Sequence, residues 1–168
     1  MGLSFYGLKA VQRTLDYSEI SCIAKNIYYE ARNESTAGQI AVTQVVFNRV
    51  KSARFPSTSC DVIQQGKHVN GFPVLNRCQF SWYCDGRGDV PHNMKAFEKS
   101  QKLAELLFFS KEWLPDLTDG SLWYHADYVS PKWSFTRKKT LTIDTHIFYK
   151  CTQQTIFITT DIYHRQNR

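Results

Sequence analysis

Apolar positions at Ile20, Ile23, Ala24, Ile27, Tyr28 and Ala31 recur at intervals of three, one, three, one and three residues. That spacing predicts an amphipathic helix of period 3.6, with Asp16 or Ser18 as its N-cap. A second helix is expected to start near Ser35–Ala37 and to run through GQIAVTQVVFNRV to about Lys51. Its Ile40, Ala41, Val42, Val45, Val46, Phe47 and Val50 cover more than one stripe, which predicts a central, mostly buried helix. Phe55-Pro56-Ser57 ends that unit. Residues 64–92 hold four of the eight glycines, two prolines and few periodic apolar positions. They read as a long irregular region of the kind that carries function. A third helix, roughly Asn93–Phe109, puts Ala96, Phe97, Ala104, Leu107 and Phe108 on its inner side. After the turn-rich Leu114–Gly120 come strand-like runs at Ser121–His125, Lys139–Ile143 and His146–Cys151. Residues 152–168 read as a further strand through IFITT or as a tail. Helices first and a small sheet afterwards make this an α+β fold.

Composition narrows the class. At 168 residues the chain suits one domain, and 42% hydrophobic with 21% charged residues excludes extended disorder. No apolar run approaches the ~18–20 residues of a membrane span, so no stable membrane insertion is expected. The opening MGLSFYGLKAVQRTLDYSEI lacks the flank and apolar core of a signal peptide. The expectation is synthesis in the cytoplasm, followed either by work there or by release through a route that the sequence does not encode. The net charge of +6 is concentrated in residues 129–168, where seven Lys/Arg face Asp144 and Asp161. Such a basic end attracts nucleic acid, anionic membrane or an acidic wall polymer alike. Five cysteines, at 22, 60, 78, 84 and 151, leave at least one without an intramolecular bridge, and their spacing is not that of a zinc ribbon.

Three stretches can carry chemistry. In IYYEARNE, Glu30 lies about 80° from the centre of the apolar stripe, at its border. Glu34 shares that side if the helix persists. A carboxyl at an apolar border stays protonated toward neutral pH, as a general acid for a glycosidic oxygen must. The alternative is a pair of solvated glutamates, partnered by Arg32 or Arg49. In CQFSWYCDG, Trp82 offers a flat face to a sugar ring while Gln79 and Ser81 supply hydrogen bonds. The same loop also reads as a packed segment with a core tryptophan and a local bridge between its cysteines. In SLWYHADYVSPKWSFTR, Tyr124, His125, Tyr128 and Trp133 are candidates for an opposite wall, or for inward-packed aromatics of an edge strand.

The order of these motifs resembles the SleB-type cell-wall hydrolase family, known from spore-cortex lysis and from phage and bacterial wall enzymes. The similarity is carried by EARNE, GQIAVTQVVFNRV, FPSTSCDVI, CQFSWYCDG, YHADYVSPKW and HIFYK, and spans about residues 18–150. It implies a lysozyme-like fold, with a helical N-terminal part and a small C-terminal antiparallel sheet. A catalytic domain is then expected over residues 16–151, between an N-terminal extension (1–15) and the strand or tail (152–168). The resemblance also implies cleavage of the MurNAc–GlcNAc backbone of peptidoglycan, with Glu30 as the catalytic glutamate. Gln79, Ser81, Trp82, Tyr124 and His125 would bind substrate. By family analogy the sugar's 6-hydroxyl attacks and an anhydro sugar forms, which makes a lytic transglycosylase of endolysin type. Plain hydrolysis needs a second carboxylate, for which Glu34, Asp85 and Asp127 stand. Tyr29 and Asn33 occupy positions where the family commonly has glycine, and IDTH replaces a usual IGxH.

Other classes remain beside this reading. His125, Asp127 and His146 could ligate zinc in a wall peptidase or amidase, although HExxH is missing. Cys22 could serve a thiol peptidase. Lys132, Arg137, Lys138 and Lys139, interleaved with Trp133 and Phe135, could form a basic, non-catalytic binding module, for nucleic acid or for wall. The expectation is a monomer that acts on peptidoglycan, with neither metal nor cofactor and with no nucleic-acid partner.

Overall fold

A computed structural model describes residues 5–152, with side chains from residue 9. Its helices are α1 (Phe5–Ala31), α2 (Thr36–Lys51), α3 (Ser59–Ile63) and α4 (Met94–Ser110). Strands β1 (Gly66–Val69) and β2 (Phe72–Cys78) form a hairpin, and β3 (Trp123–Ala126), β4 (Lys138–Ile143) and β5 (His146–Lys150) form an antiparallel sheet in the order β3-β5-β4. The α+β class holds. The segment 153–168, expected as strand or tail, lies outside the described residues.

Helix α1 starts at Phe5, so Asp16 and Ser18 are mid-helix residues and not caps. Within the helix the Gln12 amide donates to the Asp16 carboxylate (2.9 Å). The expected start came from the buried stripe, and that stripe begins only at Ile20. In the first half, Val11, Leu15 and Tyr17 point outward, so helix formers without a breaker extend a helix that buries little there. At its other end α1 stops at Ala31, and Glu34 sits in the following turn instead of on the helix.

Helix α2 is central, as its pattern demands: nine of its sixteen residues are buried. Ser35 caps it, its hydroxyl accepting from the Gly38 amide (3.2 Å). One side of α2 packs Val46 and Phe47 against Ile23, Ala24 and Ile27 of α1, Val62 and Ile63 of α3, and Ala104 and Leu107 of α4. The other side packs Ala41, Val42 and Val45 against Phe148 of the sheet. Each such aliphatic or aromatic side chain contributes about 1.5–3 kcal/mol on full burial. A disulfide between Cys22 and Cys60 ties α1 to α3 (Cα–Cα 5.3 Å). Beside it the Glu19 carboxylate accepts from the Ser59 amide (2.6 Å) at the start of α3.

Residues 64–92 are more regular than their composition suggests. Asn70 (φ 51°) and Gly71 (φ 81°) turn the β1–β2 hairpin, the Asn-Gly pair of a type I′ turn. A 3-10 helix, Ser81–Cys84, follows, closed onto β2 by a second disulfide between Cys78 and Cys84. The longest irregular stretch there runs from Asp85 to Asn93.

In the three-stranded sheet Tyr124 pairs with Phe148, His125 with Ile147, and Ala126 with His146. Directly paired residues share a face, and successive residues alternate. Tyr124, His146 and Phe148 therefore face the helices, whereas His125, Ile147 and Tyr149 face away.

Candidate active site

Glu30 occupies the last turn of α1, one residue before the helix ends, and is partly open to solvent. Across from it β3 brings the Tyr124 hydroxyl, which donates to Glu30 Oε2 at 3.0 Å. Below lies Arg49 of α2, 5% exposed. Arg49 Nε donates to the Leu122 carbonyl (2.8 Å), and its guanidinium sits over the rings of Phe55 and Phe80, 5.2 and 5.4 Å from their centroids. Its Nη1 is buried with no hydrogen-bond partner among the described residues.

Burial raises the Glu30 pKa, and it outweighs the Tyr124 hydrogen bond and the Arg49 charge, which both lower it. Tyr124 is pushed well above its ordinary value by burial and then by the Glu30 charge, so it remains a donor. His146, edge-on to Tyr124 at 5.0 Å, has its pKa lowered by burial. The result is one carboxyl with a raised proton affinity, a fixed donor to one of its oxygens, and a buried cation that favours its return to carboxylate. Such a group can give a proton to a leaving oxygen and take one back.

The other carboxylates singled out from the sequence are differently engaged. Glu34 accepts from the Thr145 amide (3.2 Å) and hydroxyl (2.6 Å), holding the α1–α2 turn to the β4–β5 turn. Asp85 accepts from the Arg87 amide (2.8 Å) in a local turn. Asp127 is exposed just beyond β3.

Among the proposed binding residues, Tyr124 alone is in hydrogen-bond contact with Glu30. Trp82 is 8% exposed, stacks on Tyr29 (4.8 Å, 18°) and donates through Nε1 to the Asn26 side chain (3.1 Å). Gln79 and Ser81 are exposed at either end of Phe80, which packs in the core. His125 is on the far face of the sheet, its ring nitrogens at 2.9 Å from the Ala126 carbonyl and 3.0 Å from the Tyr149 hydroxyl. Trp133 packs there too, against His125 and Tyr149, and Tyr128 is exposed.

Two rival readings are corrected by this geometry. His125 and His146 project from opposite faces of the sheet, so with Asp127 they do not converge on a metal. Among the described residues no group of three His, Cys, Asp or Glu is arranged to hold one. Cys22 is in a disulfide, and Cys151 is the free cysteine. Sequence reasoning offered Arg49 only as the partner of a solvated glutamate pair, whereas it is buried beside Glu30. It missed one further support of the site. Asn26, buried beneath Trp82, left no signal in spacing.

Residues 33–149 match the cell wall hydrolase family. The chain is 32% identical over 134 residues to a spore cortex-lytic enzyme of Bacillus cereus, covering 79% of this chain and 44% of that protein. A spore cortex-lytic enzyme of Oceanobacillus iheyensis is 31% identical over the same length, with 42% of it covered. The chain thus spans less than half the length of these relatives. Among solved structures it resembles the catalytic domain of the Bacillus cereus SleB protein (TM-score 0.55, 32% identity, 79% of this chain and 89% of that one). It also resembles the catalytic domain of the germination-specific lytic transglycosylase SleB from Bacillus anthracis (TM-score 0.58, 32% identity, 79% and 93%). Glu30 stands three residues ahead of the family match. With the lysozyme-like, helix-then-sheet fold of those domains and a match over most of its length, the chain belongs to the cell wall hydrolase family.

Proposed function

We propose that this chain cleaves the MurNAc–GlcNAc bond of peptidoglycan as a lytic transglycosylase, with Glu30 as its acid and base. The observation that carries the reading is the Glu30 carboxyl itself, proton-retaining by burial and held by Tyr124 at 3.0 Å. Glu30 protonates the bridging oxygen, the bond from that oxygen to the muramic C1 breaks, and an oxocarbenium-like centre forms. The sugar's own 6-hydroxyl then bonds to C1 and its proton passes to Glu30, which restores the acid. No water is consumed, and the product is a 1,6-anhydro sugar.

A two-carboxylate hydrolysis needs a partner ~5–9.5 Å away, as nucleophile or as base for water. Glu34 is engaged by Thr145 and Asp85 by the Arg87 amide, and neither they nor Asp127 contact Glu30 through a hydrogen bond, which supports intramolecular attack. The named activity of the Bacillus anthracis neighbour points the same way. Two disulfides suit an oxidising compartment, which supports a site of action outside the cytoplasm. Mass spectrometry of digested sacculi tests the reaction. Anhydro-muropeptides, one water lighter than hydrolytic products, are expected; reducing-end muramic sugars would establish plain hydrolysis instead.

A further inference from the structure

An open cavity of about 820 Å³ lies on the flank of α1. One of its walls is the stacked pair Tyr29 and Trp82, and Tyr29 directly precedes Glu30 in the helix. The cavity therefore begins one residue, or about 100° of helical turn, from the acid. Its charges are mixed. Asp85 and Asp89 offer carboxylates, and Arg32 and Arg87 offer guanidinium groups. A second cavity of about 560 Å³ shares Arg32 and Asn93 with the first and adds Lys95 and Lys99. Together they line a groove past the end of α1 that carries both signs of charge, with Asp85, Asp89 and Arg87 beside the aromatic pair and Lys95, Lys99 and Glu34 beyond Arg32.

Neutral sugar hydroxyls require no such set of charges of both signs. A ligand with a free amine at one point and free carboxylates at another does. Asp89 is partly buried, and its carboxyl is raised by that burial, against the charge of Lys25. An arriving ammonium would relieve the cost of ionising it. The Tyr29 hydroxyl is buried with no hydrogen-bond partner among the described residues, which leaves a donor and acceptor at the same wall.

We propose that this groove binds the peptide stem of the substrate. The free amine of a diamino acid would lie between Asp85 and Asp89, and the stem's carboxylates would lie along Arg32, Lys95 and Lys99. The assignment rests on the proposed glycan substrate, because the stem hangs from the muramic sugar that Glu30 would attack. Stem binding then sets which glycosidic bond reaches the acid, and strands carrying peptides are cut in preference to bare ones.

Two measurements test it. The first compares peptide-bearing glycan strands with strands stripped by an amidase, for the wild type, Arg32→Gln and Asp89→Asn. Each variant removes one charge-assisted contact, so each is expected to lose about tenfold on peptide-bearing strands. On stripped strands each should stay within about twofold of the wild type. The second titrates a free stem tripeptide containing a diamino acid and follows the indole N–H resonance of Trp82 by NMR. A saturable shift that weakens in Asp89→Asn is expected. Equal wild-type rates on both strand types, equal losses on both, or an unmoved Trp82 resonance would each overturn the proposal. Its failure is distinct from failure of the glycan reading. A protein that releases no glycan fragments from either substrate sinks that reading, while the titration reports on the groove without turnover.

Discussion

Replacing Glu30 by Gln changes one property of the site and keeps the rest. The amide carbonyl can still accept from the Tyr124 hydroxyl, which now donates to Oε2 at 3.0 Å, and no atom is added to the packing around Arg49. The proton is what is lost. General acid–base catalysis supplies ~10²–10⁴-fold, or about 2.7–5.4 kcal/mol at 1.36 kcal/mol per decade. Here one residue serves both halves of the reaction, so the loss belongs at or above that range. Stability moves the other way. Burial raises the folded pKa of Glu30, so above the unfolded carboxylate value of about 4.3 the native state holds more protons than the unfolded one. Stability therefore falls as pH rises through that window and levels off once Glu30 is ionised in both states. Gln does not titrate and escapes the loss. The variant should melt with the wild type below about pH 4 and above it at neutral pH. Release of soluble muropeptides from sacculi, with melting curves from pH 3 to 8, checks both limbs. More than about a tenth of the wild-type rate in Glu30→Gln, or a melting difference that ignores pH, would refute the assignment.

Glu34→Ala removes two acceptor contacts to Thr145 at the surface, and should cost about 1–2 kcal/mol and about 3–6 °C in melting temperature. Its activity is expected to drop less than tenfold, and a loss as deep as that of Glu30→Gln would make Glu34 the second carboxylate. Opening the Cys22–Cys60 bridge with a Cys22→Ser/Cys60→Ser double variant releases a loop of 38 residues, worth about 4 kcal/mol in the chain-entropy treatment. Denaturant unfolding measures that cost, and the turnover of the folded fraction should be unchanged because neither sulfur is catalytic. Lysis should slow as salt rises from 0.15 to 1 M, where the Debye length shrinks from ~8 to ~3 Å, and Lys138→Gln/Lys139→Gln should flatten that dependence. An unchanged salt profile in the double variant would reduce those exposed lysines to a solvated strand edge.

What the sequence disclosed follows from what periodicity can see. The buried stripe of α1, the all-round apolar α2 and the alternating runs of the C-terminal sheet are regular, and each element is where its pattern put it. The first half of α1 was invisible because Val11, Leu15 and Tyr17 gain no partner there, and a helix without a buried face has no stripe. The β1–β2 hairpin was legible in Asn70-Gly71 but was outweighed by the glycines and prolines around it. Glu30 stood out as a candidate at the edge of an apolar stripe, the family resemblance implied its role, and the structure adds its contact with Tyr124. The opposite wall was harder. SLWYHADY lists Tyr124 and His125 side by side, and only the register with β5 assigns one to Glu30 and the other to the far face. Asn26 acts through a contact with Trp82 distant in sequence, which spacing along one helix does not encode.

The departures from the family's usual residues also have a physical place. Asp144 stands where glycine is common, and its backbone keeps the left-handed conformation (φ 48°) that glycine would take for nothing. Its carboxylate is what the exchange adds. Asp144 Oδ2 accepts from both the Ser35 amide (2.9 Å) and the Ser35 hydroxyl (2.6 Å), while Ser35 caps α2. Glu34 reaches back to Thr145 from the neighbouring position. Two carboxylates thus cross-link the turn after α1 to the β4–β5 turn, and Gly38 is needed because a Cβ there would run into the Asp144 carboxylate. Glu30 lies one turn before this junction, and Tyr124 lies on β3, which the same sheet holds through β5. The junction thus ties together the elements that carry Glu30 and Tyr124 without touching either residue.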